Sequence, residues 1–463
     1  MNNKYTYLFL PVIIIIACFI IWPPSQLMIT DELSYFFQAK NWIGGNINNT
    51  IIDAVSGTTH TLIEGHYPPG NSFILGGFYS INESLIYFAG LIFYLASIFL
   101  SYQTLKENNL PIIGLCVLYL FIPLIFIART TMSEMPSLLL ITIGVYLYFR
   151  NKSSSYLWLA FITGLSLSFR ETNLLLIAPL AFFISKNYIY SALAFLAGLS
   201  FRLLGYYILK TNPFFVKEGY PFGLEYLPDT IFIYAVILLV LLPLSPLWFS
   251  RVPRENIKPF SIGLLSFLGL HLVYGYVAHV YSGYTNGLLL NGRFWIPALP
   301  IFVIAMSYYL KDRNWINNKW IGAAILGIIL IVNVGVHYKI SIKQNEFYQF
   351  SEELKSVTQD QLTFIDMNSR TPIYRYIYSF VQDRKWSDIN LVNDSFHIHQ
   401  AFEKNGSFNV AIITSGATVA QSSRNDQFYK IIDKLKENYS VKNIIEFCPG
   451  SNSCLNMYEV REQ

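Results

Sequence analysis

The run Thr30-Asp31-Glu32-Leu33-Ser34-Tyr35-Phe36-Phe37-Gln38 follows the first apolar stretch of the chain, where a polypeptide leaving a bilayer meets water. Thr30 suits an N-cap and Gly44-Gly45 a stop, so a short helix is expected between them. At about 100° per residue, Asp31, Ser34, Tyr35 and Gln38 share one face, while Leu33, Phe36, Phe37 and Ile43 share the opposite one. The pattern predicts a helix on the membrane surface with an acid, two hydroxyls and an amide turned away from lipid. An interfacial helix merely capped by acids fits the same residues. The other chemistry-bearing side chains gather in four further stretches: Glu64 with His66-Tyr67-Pro68-Pro69-Gly70, Arg129 to Pro136 around Glu134, Arg170-Glu171-Thr172-Asn173, and His279 to Arg293. Glu64, His66 and His279 are ligand types for a divalent metal, although their spacing fits no compact motif.

Whether these stretches can meet depends on the elements that carry them. Hydrophobic residues make up 53% of the chain and charged residues 13%, with a mean hydropathy of +0.41. A soluble fold carries roughly twice that charge, so the chain is read as a multispanning membrane protein. The small net charge of +4 gives no reason to expect a nucleic-acid partner. Apolar runs cover Tyr7–Trp22, Leu85–Tyr102, Pro111–Ala128, Pro136–Phe149, Tyr156–Phe169, Leu174–Ser185, Tyr188–Leu209, Ile231–Phe249, Ile262–His279, Phe294–Leu310 and Trp320–Tyr338. The first has no small-residue cleavage site and is expected to remain as a signal anchor.

One pair of runs sets the sidedness of all that follow. Tyr156–Phe169 and Leu174–Ser185 are separated only by Arg170-Glu171-Thr172-Asn173. Read as one helix, they would bury a charged pair at mid-membrane and invert every later loop. Read as two, they put Lys186, Arg251, Arg254, Lys258, Lys311, Arg313 and Lys319 on the side that already holds Lys106, Arg150 and Lys152. The positive-inside rule selects the second reading: about eleven spans, N-terminus cytoplasmic, C-terminus extracytoplasmic, in a cell (plasma or inner) membrane. The polar stretches then share the outer face, where acids, bases and imidazoles suit chemistry on a substrate reached from both lipid and water.

Residues 1–338 are accordingly expected to form the membrane domain and 339–463 an extracytoplasmic α/β domain. Strands are predicted at Leu362–Ile365, Val410–Thr414, Val441–Phe447 and Leu455–Val460, and helices at Phe347–Val357, Pro372–Val381 and Gln427–Glu437. Cys448 and Cys454 lie close enough in this tail to form a disulfide.

Four motifs, in order and on one face, resemble the GT-C membrane glycosyltransferases, in particular the protein O-mannosyltransferase and bacterial aminoarabinose-transferase branch. They are Asp31-Glu32 on the first-loop helix, His66-Tyr67-Pro68-Pro69 where relatives usually have Lys-Pro-Pro, Ser133-Glu134-Met135-Pro136, and Gly292-Arg293-Phe294-Trp295-Ile296-Pro297 with Pro300. The resemblance implies a membrane all-α GT-C-like fold and transfer of a sugar, with inversion, from a polyprenyl-phosphate carrier to a lipid, glycan or protein acceptor. A phosphate leaving group needs no general acid, so one carboxylate suffices to take the acceptor proton. On this resemblance Asp31 and Glu134 are the catalytic carboxylates, with Asp31 as base. Arg170 and Arg293 bind the donor phosphate, and Glu32, Tyr35, His66 and Tyr67 contact substrate. No cofactor is required, and a divalent metal stays open.

Each assignment has a structural counterpart. Glu134 can simply begin a helix, and Arg170 can pair with Glu171. Arg202 is either a structural ion or a phosphate ligand, and His271 is most simply a buried, hydrogen-bonded histidine. Glu32 points about 100° from Asp31 and is expected to support the fold or an acceptor contact. The rival functions are a surface-polysaccharide polymerase or ligase and a lipid or solute transporter.

Overall fold

The computed structural model describes residues 6–24, 30–43, 50–52, 59–61, 67–209, 222–275, 291–313, 319–356, 362–366, 386–389, 406–415, 432–433, 435–450 and 453–461. The chain forms two compact units, Met1–Pro24 with Gly65–Ser341 and Ser25–Glu64 with Ile342–Gln463. The later boundary falls between Ser341 and Ile342, and the first-loop segment groups with the C-terminal residues. Proximity in sequence does not decide where a loop buries its surface.

The first unit begins with α1 (Thr6–Ile21) and resumes with α3 (Pro69–Ile81) and α4 (Ala89–Glu107), the latter entered through a 3₁₀ turn at Glu83–Phe88. The run Pro111–Ala128 is broken into the short helices α5 (Cys116–Leu120) and α6 (Ile122–Ile127). Pro123 sits in the first turn of α6, where its missing N–H costs nothing but where no longer helix can pass through it. Then come α7 (Glu134–Arg150), α8 (Ser155–Ser166), α9 (Asn173–Ile184), α10 (Tyr188–Leu209), α11 (Leu227–Leu241), α12 (Ser245–Trp248) and α13 (Arg254–Leu272). A 3₁₀ turn at Arg293–Ala298 leads into α14 (Leu299–Leu310), and α15 (Lys319–Ser356), as far as Ser341, closes the series.

Among the described residues, five helical stretches are long and apolar enough to cross a membrane: Glu83–Glu107, Tyr188–Ile208, Leu224–Leu241, Arg293–Leu310 and Trp320–Asn345. Every apolar run read from the sequence carries helix, and the chain is a multi-pass membrane protein. The uncertain pair is two helices, α8 and α9, packed against each other across the Arg170 turn. Arg293–Leu310 is the buried centre of the unit, with 83% of its residues inside, whereas α10 has 11% inside and presents Ile189, Leu193, Leu196, Leu204 and Tyr207 outward. α15 runs for 38 residues because no Gly or Pro stops it between the apolar run and the helix predicted at Phe347.

Glycines let α8 and α10 touch backbone to backbone. A Cβ on Gly164 would lie 2.1 Å from the Phe195 carbonyl oxygen, and one on Gly198 2.1 Å from that of Phe161. Small residues are the usual means of close helix contact where lipid offers no hydrophobic gain. Gly164→Ala is therefore expected to cost about 1–3 kcal/mol, read as a lower unfolding midpoint in detergent. Gly144→Ala, whose added Cβ meets only Leu159 and Ile177 side chains at 3.4 Å and beyond, should be tolerated.

In the second unit the predicted first-loop helix exists as α2 (Thr30–Trp42), followed by the hairpin β1 (Thr50–Ile52) and β2 (Thr59–Thr61). The face it buries differs from the one expected. Glu32, Tyr35, Phe36 and Ala39, spaced i, i+3, i+4 and i+7, form a buried stripe with Gln38 beside it, and Asp31 and Lys40 flank it half-buried. Phe36 thus packs inside the folded chain rather than facing lipid. A helix buries the stripe its neighbours cover, polar members included, and periodicity alone cannot say which stripe that is.

The tail forms a five-stranded sheet in the order β4 (Trp386–Ile389), β3 (Leu362–Asp366), β5 (Ser407–Ser415), β7 (Ser453–Arg461), β6 (Ser440–Gly450). β3 runs parallel to β4 and β5, while β7 is antiparallel to β5 and β6. All four predicted strands are present, and β1 lies beside β4. The predicted helix Pro372–Val381 lies outside the described residues. Cys448 is disulfide-bonded, near the tip of the β6–β7 hairpin whose second strand carries Cys454. Non-reducing peptide mapping should return the two cysteine peptides linked, and Cys448→Ser should lower tail stability by about 2–3 kcal/mol. Two alkylated thiols in the untreated protein would count against the pairing.

Candidate active site

Glu134 opens α7, Arg170 stands in the turn before α9, and Arg293 opens the 3₁₀ turn before α14. These three residues, far apart in the chain, meet at one point. Arg170 Nη1 lies 2.7 Å from Glu134 Oε1, and Arg293 Nε lies 3.6 Å from the same oxygen. Both guanidinium carbons sit 5.2 Å from the centre of the Phe294 ring. Glu134 is 1% exposed and Arg293 5%. Among the described residues no donor hydrogen-bonds the second carboxylate oxygen of Glu134. The contact also depends on the hairpin reading of α8 and α9: fused into one span, they would start Arg293's segment at the opposite end from Glu134.

The Pro-Pro segment fastens the site from one side. Pro69 occupies the first turn of α3, where proline fits. The next N–H, of Gly70, donates to the Ser168 carbonyl at 2.7 Å, two residues before Arg170. The Gly70 Cα comes so near that a Cβ would stand 2.7 Å from the same oxygen. Asn71 Nδ2 donates to the Thr131 carbonyl at 2.8 Å, three residues before Glu134. Asn173 Nδ2 donates to Ser137 Oγ at 2.9 Å and to the Ser166 carbonyl at 3.3 Å, tying α7 and α8 to the start of α9. Both asparagines are buried. Asn71→Ala should cost about 1–3 kcal/mol, because the Thr131 carbonyl loses this buried hydrogen bond. It should also weaken donor binding by loosening the loop before Glu134, which titration of donor lipid would read.

The 129–133 loop is held from the other side by Arg129, 1% exposed. Its Nη2 donates to the Trp22 carbonyl at 2.6 Å, its Nη1 meets His337 Nδ1 at 3.3 Å, and its guanidinium stands over Phe19 at 5.2 Å. The structure separates the alternatives left for the other cations. Arg202 pairs with Glu171 and donates to the Leu167 carbonyl at 2.7 Å and to Tyr206 Oη at 3.2 Å. The Arg170–Glu171 alternative is therefore not the pair that forms: Glu171 is taken by Arg202, and Arg170 turns inward to Glu134. His271 is buried, with Nδ1 2.8 Å from the Phe267 carbonyl, and its ring lies 5.5 Å from that of Phe294.

Asp31, Glu32 and Tyr35 belong to the second unit; Asp31 is half-buried, Glu32 1% exposed and Tyr35 3%. Tyr67 is half-buried at the start of the Pro-Pro turn. Glu64, His66 and His279 lie outside the described residues, and among the described residues no group of three His, Cys, Asp or Glu side chains converges on a metal-sized site. Asn71 escaped sequence reasoning, and Arg129 and Asn173 were named there only as members of polar stretches, without a role. Asn71 had a local signal, directly after Pro-Pro-Gly; Arg129 and His337 are separated by most of the membrane region and had none.

An acid is thus buried between two arginines at helix starts, in a polytopic helical fold whose tail forms a mixed sheet. No family model matches the chain, and no curated protein matches it by sequence. Solved structures share the architecture. The crystal structure of ArnT from Cupriavidus metallidurans bound to undecaprenyl phosphate superimposes with a TM-score of 0.58 at 11% identity, over 98% of both chains. Its apo state gives the same TM-score of 0.58 at 9% identity, over 97% of both chains. At this identity the likeness is one of fold, and it extends over both units.

Proposed function

We propose that this chain is an integral membrane glycosyltransferase that moves a sugar from a polyprenyl-phosphate carrier to an acceptor at the extracytoplasmic face, with inversion. The observation that carries the reading is the meeting of Arg170 and Arg293 on one buried carboxylate and one aromatic ring. Guanidinium groups match phosphate oxygens in bidentate geometry, and a preformed pair stabilises charge without reorganising as the bond breaks. The ArnT structure of the same fold holds undecaprenyl phosphate, which supports a lipid of that class as partner.

In this reading the acceptor attacks the anomeric carbon from the face opposite the phosphate, and the sugar–phosphate C–O bond breaks with its electrons passing to phosphate. Arg170 and Arg293 take up that charge. Asp31, the half-buried acid of α2, accepts the acceptor's proton. Glu32, buried in the same helix, supports the fold, while Tyr35, His66 and Tyr67 are assigned to substrate. Glu134 holds the arginines at their spacing. None of these steps needs a metal ion. Arg202 and His271, the ionisable residues a transporter could use within the spans, both engage their own structural neighbours.

Purified protein in nanodiscs, given a defined set of polyprenyl-phosphate sugars and a membrane extract as acceptor source, should consume one of them and release polyprenyl phosphate. Cells lacking the protein should accumulate that same donor. If every donor stays intact and none accumulates, the reading fails. The orientation has its own test: a reporter fused after Gln463 should be extracytoplasmic and one inserted at Asn256 cytoplasmic.

A further inference from the structure

We propose that Glu134 is a specificity-determining residue, which tunes the arginine site to a singly charged phosphodiester and drives out the phosphomonoester product. The inference rests on the polyprenyl-phosphate-sugar reading above. Glu134 Oε1 stands between the two guanidiniums, where an anion's oxygen would be bound, at 2.7 Å from one and 3.6 Å from the other. The side chain is 1% exposed, and its Oε2 has no hydrogen-bond partner among the described residues. A helix-starting acid with no further task would sit in water. This one is inside, against the cations, and whatever else those cations touch, it removes one positive charge from the place where phosphate binds.

The charge balance of the reaction gives that subtraction a purpose. The donor is a phosphodiester and carries one negative charge. Transfer breaks the bond between the anomeric carbon and the phosphate oxygen; the sugar joins the acceptor, the acceptor's proton goes to the base, and phosphate keeps the bonding pair. The product is a phosphomonoester, with a second ionisation near pH ~6 and about −1.5 to −2 charge at neutral pH. Without the Glu134 charge the site would favour this product over the donor more strongly, and product release would be slower. A fixed carboxylate weakens that preference. It repels the fully developed second charge more than the partial charge of the transition state, so its cost falls mainly on the product.

The test measures binding of two probes to full-length protein in nanodiscs: polyprenyl phosphate, the monoester, and polyprenyl methyl phosphate, a diester that cannot donate sugar. The charge-neutral, near-isosteric Glu134→Gln is expected to tighten the monoester by about tenfold or more relative to the diester. Glu134→Asp, which keeps the charge, should leave the ratio near that of the wild type. In a transfer assay Glu134→Gln should show a first-turnover burst followed by a slow, product-inhibited phase. A pH series supplies a second arm, with Glu134→Ala as a further neutral variant. From pH 5.5 to 8 monoester affinity relative to the diester should rise less in the wild type and in Glu134→Asp than in Glu134→Gln or Glu134→Ala, because the second charge meets the carboxylate. Among the described residues Arg170, Arg293, His271, Tyr274 and Tyr234 are the other charged or titratable groups around Phe294 and His271, and the diester series reports any titration of their own. An unchanged monoester-to-diester ratio in both neutral variants, or a rise with pH as steep in the wild type as in them, overturns the assignment of Glu134 alone. No saturable binding of either lipid to the wild type overturns the donor reading beneath it.

Discussion

Asp31→Asn is expected to lower sugar transfer by about 10²–10⁴-fold, the range in which a lost general base is felt. The amide keeps the size and the hydrogen-bonding reach of the carboxylate but cannot accept the acceptor's proton. Because Asp31 is half-buried on the flank of α2 and not in its buried stripe, the substitution should leave folding intact. The loss should therefore appear in kcat, with donor affinity little changed. Glu32→Gln, one position on but 1% exposed, should act differently: its first effect should be on stability, with activity following the folded fraction. Steady-state transfer together with a thermal melt of each variant separates the two. Full activity in Asp31→Asn beside a dead Glu134→Gln, with no burst, would move the base to Glu134.

Arg293→Gln should be as damaging, by about 10²–10³-fold, because it removes one of two donors aimed at the departing phosphate. Its place in the structure adds a second cost. Arg293 lies 3.6 Å from Glu134 in the interior, and removing one member of a buried charged group leaves the other poorly compensated. Arg293→Lys keeps the charge but not the planar fork that lies along Phe294, and should recover stability before it recovers rate. Arg170→Gln should share the fall in rate with a smaller fall in stability, since Arg170 is 18% exposed in its side chain against 6% for Arg293. Comparable melts and full activity in both glutamine variants would remove the arginine pair from the mechanism.

The parts of this protein that follow from local chemistry were legible before any coordinates. Apolar runs of membrane length become helices wherever they occur, and the bias of Lys and Arg between loops separated α8 from α9 correctly. Strands in the tail were visible because β-branched and aromatic residues cluster between turn residues. The charged motifs could be ordered on one side of the membrane by counting spans. That was enough to bring Glu134, Arg170 and Arg293 to the same end of the helices.

Tertiary structure decided which charges pair and which faces are covered. Arg170 had Glu171 as its neighbour in sequence, yet the turn points the two apart, and each takes a partner from a different helix. The face that α2 buries could not be read from its own period, since the stripe containing Glu32 is no more apolar than its rivals. Arg129 and His337 could be joined only by the packing of α1, α15 and the loop before α7. The physical reason is common to all three. Hydropathy is a property of each residue, so it can be summed along the chain. A buried ion pair is a property of two residues and of the water excluded around them, and that exclusion exists only once the helices have packed.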